Sequence, residues 1–128
     1  AGTGNKVEDF GVGFYTKYGD GGVDLSPIAD LLKSEVYALG TALKIPESIL
    51  KAAPSDGLFG DSRSDEDQIG ASYPELEWAM KCVEDGKTIN DFEGRERIVF
   101  EIYNRYNAAN KHKMNPIPVC EIPSNLKP

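Results

Sequence analysis

The stretch that most constrains this chain is Thr16-Lys17-Tyr18-Gly19-Asp20-Gly21-Gly22-Val23-Asp24. Glycine reaches positive φ and admits close approach where a side chain would collide, so three glycines in nine residues predict a tight turn. Lys17 ahead of the turn offers a mobile cation, and Asp20 and Asp24 offer acceptors for hydroxyls or amides. A polar turn and a ligand-binding loop both fit that composition. The flanking sequence has to separate them.

At 128 residues the chain suits one domain with a core and is short for two. Its residues are 40% hydrophobic and 27% charged, which excludes fibrous and disordered classes. A net charge of −7 without a basic stripe argues against nucleic acid as a partner. No apolar run approaches the ~20 residues of a membrane-spanning helix, so no membrane partner is expected. Cys82 and Cys120 lack both a disulfide framework and metal-site spacing, and read as two reduced thiols in a cytoplasmic protein. His112 is the single histidine, too few ligands for zinc.

Along the chain, Ala1 to Asn5 reads as the end of a strand entering a loop, as though the sequence were entered partway through a protein. A helix follows from about Lys6 to Phe14, with Thr3 and Asn5 as capping oxygens. Glu8 falls in its first turn, where the helix dipole stabilises a carboxylate; such a position also suits a divalent cation beside phosphates. Residues 23–28 alternate apolar and polar as a short strand. Next comes a helix from Ser34 to Lys44, with Leu32, Val36, Leu39 and Leu43 as a core-facing stripe. Pro46 opens a short helix to about Ala52.

Pro54 to Gln68 has little periodicity and reads as a lid or flap. Ser72 and Glu75 form a capping box for a helix with Leu76, Ala79, Met80 and Val83 on its apolar face, ending at Asp85-Gly86. The longest helix, about Arg95 to Asn110, carries Ile98, Ile102, Tyr106 and Ala109 on one side. Trp78 and the tyrosines read as core. The proline-bearing tail from Met114 is extended or irregular. This inventory is mostly helical with one or two strands, too few for a sheet alone, so further strands are expected from an upstream half or a partner chain.

Gly2-Thr3-Gly4-Asn5-Lys6-Val7-Glu8, the Thr16–Asp24 string, Pro27-Ile28 with Lys33, Pro54-Ser55, Ser64-Asp65-Glu66 and His112-Lys113 together resemble the ammonia-dependent NAD synthetases. The likeness runs in order through nearly the whole chain and corresponds to that family's carboxyl-terminal half. It implies an α/β, Rossmann-like adenine nucleotide α-hydrolase fold, of which residues 1–128 are the later half of one domain. It also implies a ligase that uses Mg-ATP to adenylate the nicotinate carboxylate of deamido-NAD, after which ammonia displaces AMP to give NAD. A carboxylate is a poor electrophile until it acquires a leaving group, and lysines and a metal neutralise the phosphates.

By the same resemblance Thr3, Lys33 and Ser55 contact ATP, and Glu8 holds Mg²⁺. Lys17, Asp24, His112 and Lys113 contact deamido-NAD, and the enzyme is a cytoplasmic homodimer. The sequence departs from the family in four places. Ser55 stands where threonine is usual, and Asp56-Gly57-Leu58 stands for alanine-aspartate-leucine. One extra residue separates Glu8 from Lys17. The family's pyrophosphate loop is absent from these residues. Two alternatives remain: the synthetase part of a glutamine-dependent enzyme, and a catalytically silent nucleotide-binding or interaction domain.

Overall fold

The first helix is set by its own cap. Asn5 is buried, and its side-chain Oδ1 accepts from the backbone N–H groups of Val7 and Glu8 at 3.1 and 3.2 Å. The Asn5 N–H in turn donates to Glu8 Oε2 at 3.3 Å, a reciprocal cap of the kind that satisfies orphan donors at a helix start. The helix, Val7–Val12, is π-helical, a wide winding rare in proteins and frequent at functional sites. It ends at Gly13, which adopts left-handed φ 63°.

The computed structural model describes residues 1–52 and 64–128. After the π-helix come α1 (Lys33–Ala42), α2 (Glu47–Leu50), α3 (Asp65–Ile69), α4 (Tyr73–Glu84) and α5 (Gly94–Met114), with single 3₁₀ turns at Ile89–Asp91 and Ser124–Leu126. The Ser72–Glu75 capping box forms as its spacing predicts: Glu75 Oε2 accepts from the Ser72 N–H at 2.8 Å. Gly86, with φ 74°, follows the end of α4.

The core lies where the π-helix, α4 and α5 meet. Val7, Val12, Leu76 and Ala79 are fully buried, joined by Val99, Phe100 and Tyr103 of α5. Trp78 packs at its edge against Phe92, ring centroids 4.9 Å apart, as expected for a core aromatic.

Four expectations need correction. Residues 23–28 are not a strand, and among the described residues there is no strand at all. A strand needs a neighbour's ladder, and this stretch has the Gly2 N–H to Leu25 C=O bond at 2.6 Å in place of one. The α1 stripe meets the core only at its start, where Leu32 packs against it: no residue of α1 is buried, and Leu39 and Leu43 are exposed. On α5 the expected face holds only in part: Ile102 and Tyr106 pack against the core, but its centre is Val99, Phe100 and Tyr103, while Ile98 is half exposed and Ala109 exposed. The end of the expected flap, residues 65–68, is helical in α3, capped by Ser64, whose Oγ accepts from the Asp67 N–H at 3.2 Å. The rest of the flap, with Ser55, lies outside the described residues.

One ion pair ties α5 to α4. Arg95 donates to both oxygens of Glu75, at 2.7 and 2.8 Å, and to the Gly70 carbonyl at 3.2 Å. Hydrogen bonding from Arg95 holds the Glu75 carboxyl down at about 2. A depressed acid stabilises the fold above its ordinary value of 4.5 and loses that contribution as pH falls through about 2. Arg95 is 54% exposed, so solvent screening keeps the gain small. Arg95→Ala should therefore lower stability at neutral pH and flatten the decline between about pH 4.5 and 2, read as urea midpoints across that range. An unchanged acid profile would remove Glu75 from the account.

Candidate functional site

The cap that starts the π-helix also aims Glu8 away from the core. Its Oε1 accepts from Lys33 Nζ at 3.0 Å and from the Tyr73 hydroxyl at 2.5 Å. Lys33 is the first residue of α1 and Tyr73 the first of α4, so three helix starts converge on one carboxylate. Both charges are largely sheltered, with side-chain exposures of 20% for Lys33 and 16% for Glu8. The Lys33 ammonium also sits 4.6 Å from the centre of the Tyr73 ring. Burial, then the bond to Glu8, raises the Tyr73 hydroxyl far above its ordinary value, so it stays a donor at any physiological pH.

Beside this cluster opens a cleft of ≈ 260 Å³, whose walls include Thr3, Glu8, Asp9, Tyr15, Asp20 and Lys113. A Cβ on Gly4 would collide with the Asp9 carboxylate, so the glycine lets Asp9 lie against the entry loop. Burial, followed by the charges of Glu8 and Asp20, raises the Asp9 carboxyl above its ordinary value.

The glycine-rich turn closes through its own backbone: the Gly19 and Gly21 N–H groups both donate to the Thr16 carbonyl at 3.0 Å. Its glycines do not adopt positive φ, contrary to expectation. They serve close approach instead, since a Cβ on Gly21 would run into the Tyr15 ring. Residues far away in sequence meet this loop. Lys17 Nζ donates to the His112 carbonyl at 2.6 Å, and Lys113 Nζ donates to the Gly13 and Tyr15 carbonyls at 2.9 and 2.7 Å.

Of the residues singled out from the sequence, two sets come together: Glu8 with Lys33, and Lys17 with the end of α5 that carries His112 and Lys113. Thr3 is exposed at the cleft and Asp24 is exposed beside Leu25. The His112 ring faces the Ala109 carbonyl of its own helix, 3.2 Å away, so its backbone, not its imidazole, reaches the loop. No group of three His, Cys, Asp or Glu side chains suited to a metal occurs among the described residues.

A family model described as NAD synthase matches residues 1–117. The chain belongs to the NAD synthase family. It is 42% identical over 124 residues to the NH(3)-dependent NAD(+) synthetase of Methanosarcina mazei, covering 94% of this chain and 48% of that protein. The protein of the same description from Archaeoglobus fulgidus is 41% identical, over 95% of this chain and 46% of its own length. That from Syntrophomonas wolfei is 39% identical, over 98% and 46%. The chain thus spans about half the length of the curated relatives it matches. Membership in the NAD synthase family carries the adenine nucleotide α-hydrolase fold, of which the described residues are a helical portion.

Sequence reading missed Tyr73, Asp9, Asn107 and Asn110 of this NAD synthase-family chain. Tyr73 was hidden inside a capping box, where its neighbours carried the whole signal. Asn107, Asn110 and Lys113 are spaced by three on one helix, a polar line that could have been noticed.

Proposed function

We propose that this chain is the later half of an ammonia-dependent NAD synthetase domain and acts within it in the ATP-dependent amidation of deamido-NAD. The nicotinate carboxylate attacks the α-phosphorus of ATP, and the bond from that phosphorus to the α,β-bridging oxygen breaks to release pyrophosphate. Ammonia then attacks the acyl carbon, the bond to AMP breaks, and the spare proton leaves to solvent or a nearby base. Thr3, Lys33 and Ser55 contact ATP in this reading. Lys17, Asp24, His112 and Lys113 contact deamido-NAD. The enzyme is read as a cytoplasmic homodimer, as the resemblance implies.

The observation that carries the reading is the Glu8–Lys33–Tyr73 cluster at the edge of a cleft whose other wall is the lysine-bearing loop. Phosphate chemistry calls for cations and a metal-binding carboxylate at such a place. Glu8 fits Mg²⁺ in the form in which one carboxylate is completed by phosphate oxygens and water. When bound, the metal supplies neutralising charge at the phosphates. The chain's own residues orient: Tyr73 fixes the Glu8 carboxylate as a donor, and Lys33 remains within reach of both. The three relatives named above are all described as NH(3)-dependent, which favours ammonia over glutamine as nitrogen source.

The test is turnover by the protein as it occurs in its cell. With deamido-NAD, Mg-ATP and ammonium it should release pyrophosphate and AMP and form NAD; absence of pyrophosphate release overturns the reading. Lys33→Ala should chiefly raise the KM for ATP and Lys17→Ala that for deamido-NAD, by about tenfold or more for a lost charged contact. The reverse pattern refutes the two assignments.

A further inference from the structure

The last turn of a helix leaves carbonyls without intrahelical partners. In the π-helix those groups are taken, in order, by one face of α5. Asn107 Nδ2 donates to the Gly11 carbonyl at 2.7 Å, Asn110 Nδ2 to the Val12 carbonyl at 2.8 Å, and Lys113 Nζ to the Gly13 carbonyl at 2.9 Å. Each step of three residues on α5 meets a step of one on the π-helix. Lys113 then carries the series past the helix end to the Tyr15 carbonyl at 2.7 Å. The approach is close: a Cβ on Gly11 would lie 3.3 Å from the Tyr103 ring, and one on Gly13 would collide with Asn110.

Neutral amides nearly 100 residues away are an unusual cap for a helix that a glycine already terminates. What they control is direction. The chain leaves Gly13 for Phe14, Tyr15 and the glycine-rich turn, so the rungs at Gly11 and Val12 set where that turn begins. Lys17, five residues on from Val12, meets α5 again at the His112 carbonyl. Hydrogen bonds of this length weaken steeply with misalignment, so a small rotation of the π-helix would lose several rungs together.

We propose that Asn107 and Asn110 are positioning residues that hold the π-helix exit in register and thereby place the Lys17–Asp24 loop for the dinucleotide. The inference rests on the proposed reading for its substrate and on geometry alone for its mechanics. Neither asparagine lines the cleft beside Glu8, although Asn110 borders the adjoining hollow formed by Tyr15, Thr16 and Lys113; both act through the backbone carbonyls they hold.

The experiment uses the natural full-length protein with Asn110→Asp, which keeps the shape, removes the donor and sets a carboxylate against a carbonyl. Two readouts are taken: amide hydrogen exchange, and KM for deamido-NAD and for ATP with kcat. The expected result is exchange about tenfold faster at residues 13–19 with α4 unchanged, and a KM for deamido-NAD raised about tenfold while KM for ATP and kcat hold within about twofold. Asn110→Ala should behave alike, and serves if the aspartate variant does not fold. Unchanged exchange at residues 13–19 overturns the proposal. So does exchange raised throughout with both KM values and kcat affected together, since that marks plain loss of stability. So does local loosening without any change in KM for deamido-NAD. Failure of the unsubstituted protein to turn over is seen before any variant is made and refutes the functional reading, whereas the exchange result stands by itself.

Discussion

If the chain works as proposed, Glu8→Gln is expected to slow NAD formation by the full-length protein by about a hundredfold or more and to raise the Mg²⁺ concentration needed for half-maximal rate. The first figure is the usual cost of removing one preorganised electrostatic group from an active site. The carboxylate is the acceptor for three groups, the Tyr73 hydroxyl, the Lys33 ammonium and the Asn5 N–H. Glutamine keeps the shape and one acceptor oxygen but brings an NH₂ group that must face a donor. It also leaves the sheltered Lys33 charge without its partner. A stability loss of about 1–3 kcal/mol should therefore accompany the kinetic effect. The two parts separate by experiment. If the variant melts lower yet keeps the unsubstituted protein's metal dependence, Glu8 is an anchor for three helix starts and not a metal ligand. If added Mg²⁺ restores part of the rate, the ligand role stands.

Leu76→Ala should cost about 2–5 kcal/mol, a large share of the 5–15 kcal/mol typical of a folded domain. Leu76 is completely buried, within the cluster where α4 meets the π-helix and α5. Truncation there removes apolar area and leaves a cavity whose walls belong to three elements, so it cannot close by moving one of them. On the same helix Val83 is 40% exposed, and Val83→Ala should cost less than about 1 kcal/mol. Urea midpoints for the two variants check this directly. Equal losses would mean that the buried face of α4 is not the one through Leu76, Ala79 and Met80.

Those two residues differ in how far the sequence revealed them. The apolar spacing of α4 named Leu76 as core, because the capping box at Ser72 fixed where the helix began and so fixed its phase. The same reasoning failed on α1, where Leu39 and Leu43 are spaced equally well and lie in solvent. Spacing defines a stripe, and whether anything covers that stripe is a property of the neighbours. On α5 the expected stripe was right at Ile102 and Tyr106, which pack against the core, and wrong at Ile98, which is half exposed. The π-helix and α4 centred the buried face on Val99, Phe100 and Tyr103 by occupying that side.

For the site the division is similar. The glycine-rich string, Glu8, Lys33 and the His112-Lys113 pair were legible as residue types in a family order. Their partnerships were not: Tyr73 beneath Glu8, the His112 backbone rather than its ring at Lys17, and Asn107 and Asn110 along the π-helix exit are contacts between residues 65 to 98 positions apart.

By itself the sequence determined what depends on a few consecutive residues: the caps at Asn5 and Ser72, the stop at Gly86, the turn at Gly19 to Gly22. A side chain and the backbone amide it satisfies lie two or three residues apart, so their energies are set before any long-range contact forms. The tertiary structure alone decided which stripe was buried, that residues 23–28 form no strand, and which carbonyls receive the donors of α5. Burial and strand pairing require a second surface, and the chain's own order does not say which surface will arrive.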